Sequence, residues 1–330
     1  MTARSATLPP LDPWHCTLDD FHSADLAMEQ CLNLARLAAR TDLPILIVGE
    51  SGTGKTLLAR AIHNSSRRAR GPFVAFNAAA LSDTLVDSQL FGHEKGAFTG
   101  AAHAVRGKFE LAHGGTLFID EIAEMSPAAQ AKALRAVEYG EFERLGSETL
   151  RQADVRVVSA THWSLAKFVE SERFRKDLFY RISGIVLALP PLRERPHDLR
   201  SLIGSEIDAA SRREGKPIAG LAQEAADALL SYAWPGNLRE LKTVIQTAVA
   251  LATADTIGVD TIVLHRELTG GRSAAPVDGD ITLAAAERRH IRRILVSVGG
   301  NKRKAARILG ISRSTLDRKL GESGTDGGDA

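Results

Sequence analysis

Pro44-Ile-Leu-Ile-Val-Gly-Glu-Ser-Gly-Thr-Gly-Lys-Thr56 is the stretch that decides the fold of this chain. Four apolar residues end abruptly in a complete Gly-x-x-x-x-Gly-Lys-Thr pattern, so the segment reads as strand, loop, helix. The glycines permit a tight loop in which successive backbone N–H groups converge on a phosphate. The helix that follows adds its positive N-terminal end. The nucleotide-binding set is Gly49, Glu50, Ser51, Gly52, Thr53, Gly54, Lys55, Thr56 and Leu57. Lys55 is expected to neutralise the β and γ phosphates of ATP, and Thr56 to ligate Mg2+.

Working outward, short apolar runs recur at Phe73-Val-Ala-Phe76, Thr116-Leu-Phe-Ile119, Val155-Arg-Val-Val158 and Gly184-Ile-Val-Leu-Ala-Leu189. Helical segments separate most of them, which predicts an α/β fold with a mainly parallel sheet covered on both faces. Upstream, Leu26, Ala27, Cys31, Leu34 and Ala38 fall at helical spacing and predict a helix over 24–40. Pro190-Pro191 closes the α/β region, because proline removes a donor and restricts its predecessor.

The run at 116–119 ends in Asp120 and Glu121. Two carboxylates at a strand end beside a phosphate loop place Asp120 near the magnesium and make Glu121 the candidate to polarise the attacking water. Asn77 ends another strand and is read either as a partner of Glu121 or water, or as a turn cap. Thr161 and His162 follow the run at 155–158 and sit where a γ-phosphate is sensed; His162 reads equally as a satisfied neutral histidine. Arg175 and Arg181 can stabilise transferred phosphoryl charge or form surface ion pairs. Arg239, just after the turn Trp234-Pro-Gly-Asn237, can reach nucleotide from a helical domain.

Composition narrows the remaining classes. Hydrophobic residues make up 44% and charged residues 25% of 330, a balance that excludes a disordered chain. No stretch approaches the roughly twenty apolar residues of a membrane span, and the first twenty residues make a poor signal peptide. Cys16 and Cys31 are too few for a disulfide framework or a thiolate cluster, and no His/Cys/Asp set has zinc spacing. A cytoplasmic location is expected.

The net charge of +2 does not itself announce a nucleic-acid ligand, but basic residues gather in 287–293 and 301–304 and return at Arg313, Arg318 and Lys319. Ile291, Ile294, Leu295 and Val298 form one apolar helix face that Gly299-Gly300 closes. Ala305 and Ala306 lie on a second helix. Ser312 can cap a third, with Leu316 and Leu320 packing inward. The unit is read as a DNA-binding helix-turn-helix or as a three-helix dimerisation unit.

Between the nucleotide motifs lies Gly96-Ala-Phe-Thr-Gly-Ala101, one apolar ring in a glycine frame. Phe98 offers an apolar contact, Thr99 a hydroxyl, and the glycines backbone freedom; a core-facing turn is the alternative.

Taken in order, these motifs resemble the AAA+ domain of NtrC-family sigma-54-dependent activators over about 22–262, followed by a Fis-like helix-turn-helix at 281–320. The resemblance implies an AAA+ P-loop ATPase core with a parallel sheet (22–191), a small helical lid (192–264), a linker (265–280), the C-terminal helix-turn-helix and a flexible tail (321–330), after a short lead-in (1–21). It assigns Lys55 and Thr56 to nucleotide and magnesium, and Asp120 and Glu121 to the hydrolytic site. Asn77 becomes the switch partner of Glu121, Arg175 and Arg181 become arginines supplied across a subunit boundary, and Arg239 the second sensor. It further implies that Gly96, Ala97, Phe98, Thr99, Gly100 and Ala101 contact sigma-54 in the RNA polymerase holoenzyme, with 137–146 forming a second hairpin nearby.

The resemblance also implies a homo-oligomer, hexameric when active and dimeric at rest, that binds double-stranded enhancer DNA. The DNA contacts would be Lys302, Arg303, Lys304, Ser312, Arg313, Ser314, Thr315, Arg318 and Lys319. Arg313 and Thr315 are the better candidates for reading bases, whereas Lys302 and Lys304 suit phosphate. The stretch before the ATPase is too short for a receiver domain, so control by expression or by a separate regulatory protein is expected. Thr56, Ala78, His162 and Asp317 depart from residues common in the family, and His162 stands where asparagine is usual. A remodeller of another protein, or a DNA-binding repressor or scaffold, is the competing reading.

Overall fold

A computed structural model describes residues 14–79, 82–264, 291, 301–313 and 315–316. The chain divides into two units, Met1–Leu264 and His265–Ala330, each described by itself. The first unit begins with α1 (Leu26–Ala39), β1 (Ile45–Val48), α2 (Lys55–Asn64), β2 (Phe73–Asn77) and α3 (Asp83–Phe91). There follow β3 (Gly92–His93), β4 (Val105–Arg106), α4 (Lys108–Leu111), β5 (Thr116–Asp120), α5 (Pro127–Tyr139), β6 (Glu141–Glu143) and β7 (Leu150–Gln152). The α/β part ends with β8 (Arg156–Thr161), α6 (Leu165–Glu170), α7 (Lys176–Ile182) and β9 (Ile185–Ala188). A smaller helical part holds α8 (Pro196–Glu214), β10 (Gly220–Leu221), α9 (Gln223–Ser231), α10 (Asn237–Leu251) and β11 (Thr256–Ile257).

The main sheet is parallel, in the order β2-β5-β8-β1-β9. Its central strands carry apolar residues on both faces because alternate residues enter two different cores. Leu117, Ile119 and Val157 pack with α3, α5 and α7, whereas Phe118, Val158 and Ala160 pack with α1 and α2. The register sets Val48 beside Thr161 and Asn77 beside Asp120, so the ends of four strands meet along one edge. In open parallel sheets ligands bind at this edge.

Two details correct the sequence reading. The buried stripe of α1 is Met28, Cys31, Leu32, Ala35, Ala38 and Ala39, while Leu26 and Leu34 face solvent. Alanines on the inner face let α1 approach the sheet closely, which the larger leucines would prevent. The lid is also not purely helical: β10 and β11 pair in parallel.

The lid is anchored to the α/β part by exchanged helix caps. Buried Asp25, just before α1, accepts from the backbone N–H of Asp198 (2.8 Å) and His197 (3.3 Å) at the start of α8. Buried Asp198 accepts in return from the Ala24 N–H (3.0 Å) and the Ser23 hydroxyl (2.8 Å), and Arg195 neutralises it at 2.8 Å. Each carboxylate thus satisfies donors at the other helix's N-terminus.

In the second unit α11 (Lys302–Leu309) is capped by Asn301, whose side chain accepts from the Lys304 N–H, and ends at left-handed Gly310. Ala305 and Ala306 pack with Ile291 and Leu316. The Ser312 hydroxyl accepts from the Thr315 N–H at 3.1 Å, as a cap of the next turn should. Lys302, Arg303, Lys304, Ser312 and Arg313 are exposed. Ser314, Asp317, Arg318, Lys319 and Leu320 lie outside the described residues, as do the linker, the lead-in through Pro13, the tail and the first helix of this unit except Ile291.

Candidate functional site

The phosphate loop joins β1 to α2 and is braced from three sides. Gly49 N–H donates to the Thr161 carbonyl on β8, and the Thr53 hydroxyl donates to the Glu50 carbonyl within the loop. Gly52 has φ +78°, and a Cβ there would stand 2.3 Å from the Gly236 carbonyl, so only glycine allows the lid to close on the loop. Leu57 is half-buried, and Thr56 is exposed at the start of α2. Lys55 is buried and donates to the Gly49 and Glu50 carbonyls at 2.8 and 3.2 Å. Burial pushes its pKa below the usual lysine range, against the attraction of Glu121 and Asp120.

Asp120 ends β5, and its carboxyl pKa is held above the usual range, first by burial and then by Glu121 next to it; Lys55 opposes both. Glu121 turns left-handed (φ 53°), which swings its carboxylate from the β5 end toward β8 and α2. There Oε2 lies 2.7 Å from His162 Nδ1 and accepts from the His162 N–H at 3.3 Å, while Oε1 lies 3.8 Å from Lys55 Nζ. The Thr161 hydroxyl accepts from the Trp163 N–H, fixing the turn that delivers His162. Lys55, Asp120, Glu121, Thr161 and His162 are therefore brought together.

Asn77 is not part of that cluster. Its side-chain oxygen accepts from the Ala79 N–H at 2.9 Å, closing a turn, and the carboxylate of Glu121 is held by His162 instead. Arg175 and Arg181 also look elsewhere. Arg175 pairs with Asp177 at 2.7 Å, and Arg181 donates to the Glu138 carbonyl at 3.1 Å.

From the lid, Arg239 donates to the Ser51 hydroxyl at 2.9 Å, so the lid arginine does reach the phosphate loop. Two further contacts escaped the sequence reading. Arg193 forms a two-point ion pair with Glu50 (2.7 and 2.8 Å), which draws the Glu50 carboxyl below its ordinary range. Left-handed Asn237 accepts from the Leu192 N–H and donates to Glu50 and the Ser51 carbonyl. The asparagine inside Trp234-Pro-Gly-Asn237 carried the one available signal, since asparagine tolerates that backbone.

The hexapeptide 96–101 lies in the loop between β3 and β4. It folds on itself: Gly96 N–H donates to the Ala101 carbonyl and Ala101 N–H to the Phe98 carbonyl. Phe98 is half-buried edge-on against His93, with ring centroids 5.0 Å apart, rather than standing out as a bare tip. Ala101 is buried, whereas Gly96, Thr99 and Gly100 are exposed.

Beside this loop the antiparallel β6–β7 hairpin follows α5, whose end takes up Val137–Tyr139. Leu145 bridges to Gly92 and Glu94 by two backbone hydrogen bonds. Arg144 then joins three elements: it donates to Glu110 at 2.7 and 2.9 Å and to Glu94 at 3.0 Å. A Cβ on Gly146 (φ +75°) would meet Ala97 at 2.9 Å, so hairpin and loop touch.

Among the described residues no group of three or more His, Cys, Asp or Glu forms a metal cluster, and no helix is long and apolar enough to cross a membrane.

Comparison with known proteins agrees with this arrangement. Residues 21–188 match the family described as Sigma-54 interaction domain, 193–276 an AAA+ ATPase lid domain, and 282–322 the Fis family of bacterial regulatory proteins. The transcriptional regulatory protein ZraR of Klebsiella oxytoca is 45% identical over 297 residues, covering 89% of this chain and 67% of that protein. The DNA-binding transcriptional regulator NtrC of Azospirillum brasilense is 42% identical over 319 residues, covering 87% and 66%. The chain thus spans about two thirds of the length of these relatives. Among solved structures, NtrX from Brucella abortus in complex with ADP superimposes with a TM-score of 0.71 at 33% identity, covering 92% of this chain and 70% of that one. Its ATP complex gives a TM-score of 0.69. A phosphate loop closed by a lid arginine, a two-carboxylate strand end and a bridged pair of inserted hairpins thus occur in a chain that belongs to the sigma-54-dependent AAA+ transcription activators, with a Fis-type helix-turn-helix at its C-terminal end.

Proposed function

We propose that this chain binds enhancer DNA through its C-terminal unit and uses ATP hydrolysis to remodel sigma-54 RNA polymerase holoenzyme toward the open promoter complex. The observation that carries this reading is the placement of the insert. The segment bearing 96–101 leaves the core at Asn77, the end of β2 that lies beside Asp120 at the nucleotide edge, and re-enters the sheet at Thr116, the opposite end of β5. A change at the hydrolytic site would reach the loop through this departing end, from Asp120 to the neighbouring Asn77.

The donor set fits magnesium-bound ATP. Left-handed Gly52 and Gly54 shape the phosphate cradle, and the raised Asp120 carboxyl beside Glu121 is relieved by a nearby cation. When bound, ATP supplies the phosphoryl group and Mg2+ the charge that stabilises its transfer. The loop from Gly49 to Thr56 and Lys55 would bind the phosphates, with the Thr56 hydroxyl and Asp120 holding the metal. Glu121 would take the proton of the attacking water. Arg239 would report nucleotide to the lid through Ser51. Arg175 and Arg181, paired away from their own subunit's site, suit delivery into a neighbour's site in a hexameric ring assembled from resting dimers. Gly96, Ala97, Phe98, Thr99, Gly100 and Ala101 would contact sigma-54. Lys302, Arg303 and Lys304 would meet DNA phosphate, and Ser312, Arg313 and Thr315 the groove. Such work places the protein in the cytoplasm.

The test compares wild type with Glu121→Ala on sigma-54 holoenzyme and enhancer-bearing promoter DNA. ATP-dependent opening by the wild type alone supports the reading. Opening without ATP, or by Glu121→Ala at the wild-type rate, overturns it.

A further inference from the structure

Gln130 lies in the buried stripe of α5 with Ala129, Ala133 and Ala136, and it is wholly buried, although glutamine is seldom found inside. Its amide is fully engaged. Nε2 donates to the Met125 carbonyl at 2.8 Å and to the Arg173 carbonyl at 3.1 Å, and Oε1 accepts from the Arg175 N–H at 2.8 Å. Two carbonyls and one N–H fix which end of the amide is which.

Both ends of this contact lead somewhere. Met125 closes the turn that begins at Glu121: the Glu124 N–H donates to the Glu121 carbonyl, and the Met125 N–H to the Ile122 carbonyl. Arg175 stands at the start of α7, where its carbonyl accepts from the Phe179 N–H, and α7 carries Arg181. The turn into Arg175 contains left-handed Glu172 (φ 56°), a conformation that needs support from its surroundings. Arg175 and Arg181 are both exposed and paired away from their own subunit's site. Gln130 thus ties the segment that displays these arginines to the turn beside the hydrolytic carboxylate.

From this we infer that Gln130 is a positioning residue for hydrolysis in a neighbouring subunit: its side-chain amide holds the turn that aims Arg175 and Arg181 across the boundary. The inference rests on the reading of those arginines as supplied in trans. Leucine at this position fills the space but leaves the Met125 and Arg173 carbonyls and the Arg175 N–H without their partner in a dry interior, so the turn has to move. Glutamate, of the same size, sets a carboxylate oxygen against the two carbonyls. A displacement of about 1 Å in a group acting on the reaction costs about 100-fold in rate.

Mixing subunits separates an arginine from the site it serves. ATP turnover would be measured on the full chain for wild type, Gln130→Leu, Arg181→Ala and Glu121→Ala, each alone and in equimolar pairs. Gln130→Leu alone should lose kcat about 100-fold, with affinity for a fluorescent ATP analogue unchanged. Paired with Glu121→Ala it should recover turnover, because subunits with intact arginines then serve the intact sites of Gln130→Leu. Paired with Arg181→Ala it should not, since neither subunit presents working arginines. Damage to packing or assembly alone predicts recovery in neither mixture. A defect in the hydrolytic site of the altered subunit itself predicts recovery with Arg181→Ala instead. Either result overturns the inference, as does wild-type turnover by Gln130→Leu. Should Gln130→Leu not fold, Gln130→Glu in the same mixtures decides the matter. Absence of recovery when Glu121→Ala is paired with Arg181→Ala would instead overturn the reading of the arginines as acting in trans, which separates the two failures.

Discussion

Replacing Arg144 by alanine removes the side chain that ties the two hairpins together. Arg144 is 11% exposed and makes charge-assisted contacts of 2.7 and 2.9 Å to Glu110, itself 14% exposed, and of 3.0 Å to Glu94. Breaking a fully buried pair costs about 3–5 kcal/mol, because a charge is left without a partner. Here the figure is smaller. Glu94 is partly solvated, and Arg151 remains 3.5 Å from Glu94 and 3.9 Å from Glu110. A loss of about 2 kcal/mol follows, which for a domain of this size lowers Tm by roughly 4–8 °C. The backbone bridge through Leu145 stays intact, so the loop keeps its course but loses its rigid link to the hairpin. The site at Lys55 and Glu121 shares no side chain with this cluster, and basal ATP turnover should fall by less than about twofold. Calorimetry on wild type, Arg144→Ala, Glu110→Gln and the double variant measures the coupling, with promoter opening as the functional readout. A coupling energy near zero, or full promoter opening by Arg144→Ala, would refute the reasoning.

Gly52→Ala should weaken nucleotide binding at least tenfold in a titration, since its Cβ would meet the Gly236 carbonyl at 2.3 Å and force the lid off the loop; unchanged affinity would contradict this. Asp120→Asn should abolish magnesium-dependent hydrolysis yet stabilise the nucleotide-free protein by about 0.5–1 kcal/mol, because burial and Glu121 already disfavour the charged form. Denaturant unfolding without nucleotide checks the sign. Glu110 carries the opposite shift: hydrogen bonds from Arg144 lower its pKa from 4.5, so its stabilisation is complete above that value and lost as pH falls through the lower folded pKa. The stability gap between wild type and Glu110→Gln should therefore be widest near neutral pH and narrow in acid, and a gap that widens in acid would reverse the argument.

What the sequence disclosed was whatever local spacing encodes. The loop from Gly49 to Thr56 and the pair Asp120-Glu121 are contiguous, and their chemistry needs those residue types side by side. Ser312 as a cap is likewise local. The contacts that complete the site are not. Arg193 meets Glu50 across 143 residues, His162 meets Glu121 across 41, and Arg144 meets Glu110 across 34. Each joins ordinary charged or polar residues whose type says nothing of their partner. The exchanged caps Asp25 and Asp198 look in sequence like two separate helix starts, because a cap pattern does not reveal which helix the carboxylate serves. In α1 the periodicity was readable, but Leu26, Leu34 and Leu37 compete with a small-residue stripe, and packing against the sheet chose the alanines.

The central claim is that nucleotide hydrolysis at one edge of the sheet drives the loop at 96–101 against sigma-54. Phe98 is the decisive residue, since it packs edge-on against His93 and touches none of the groups at the hydrolytic site. The most direct measurement is open-complex formation by Phe98→Ala on sigma-54 holoenzyme, scored beside its rate of ATP hydrolysis. The account predicts hydrolysis within about twofold of wild type, as expected for distant independent sites, with opening lost. Wild-type promoter opening by Phe98→Ala would contradict it.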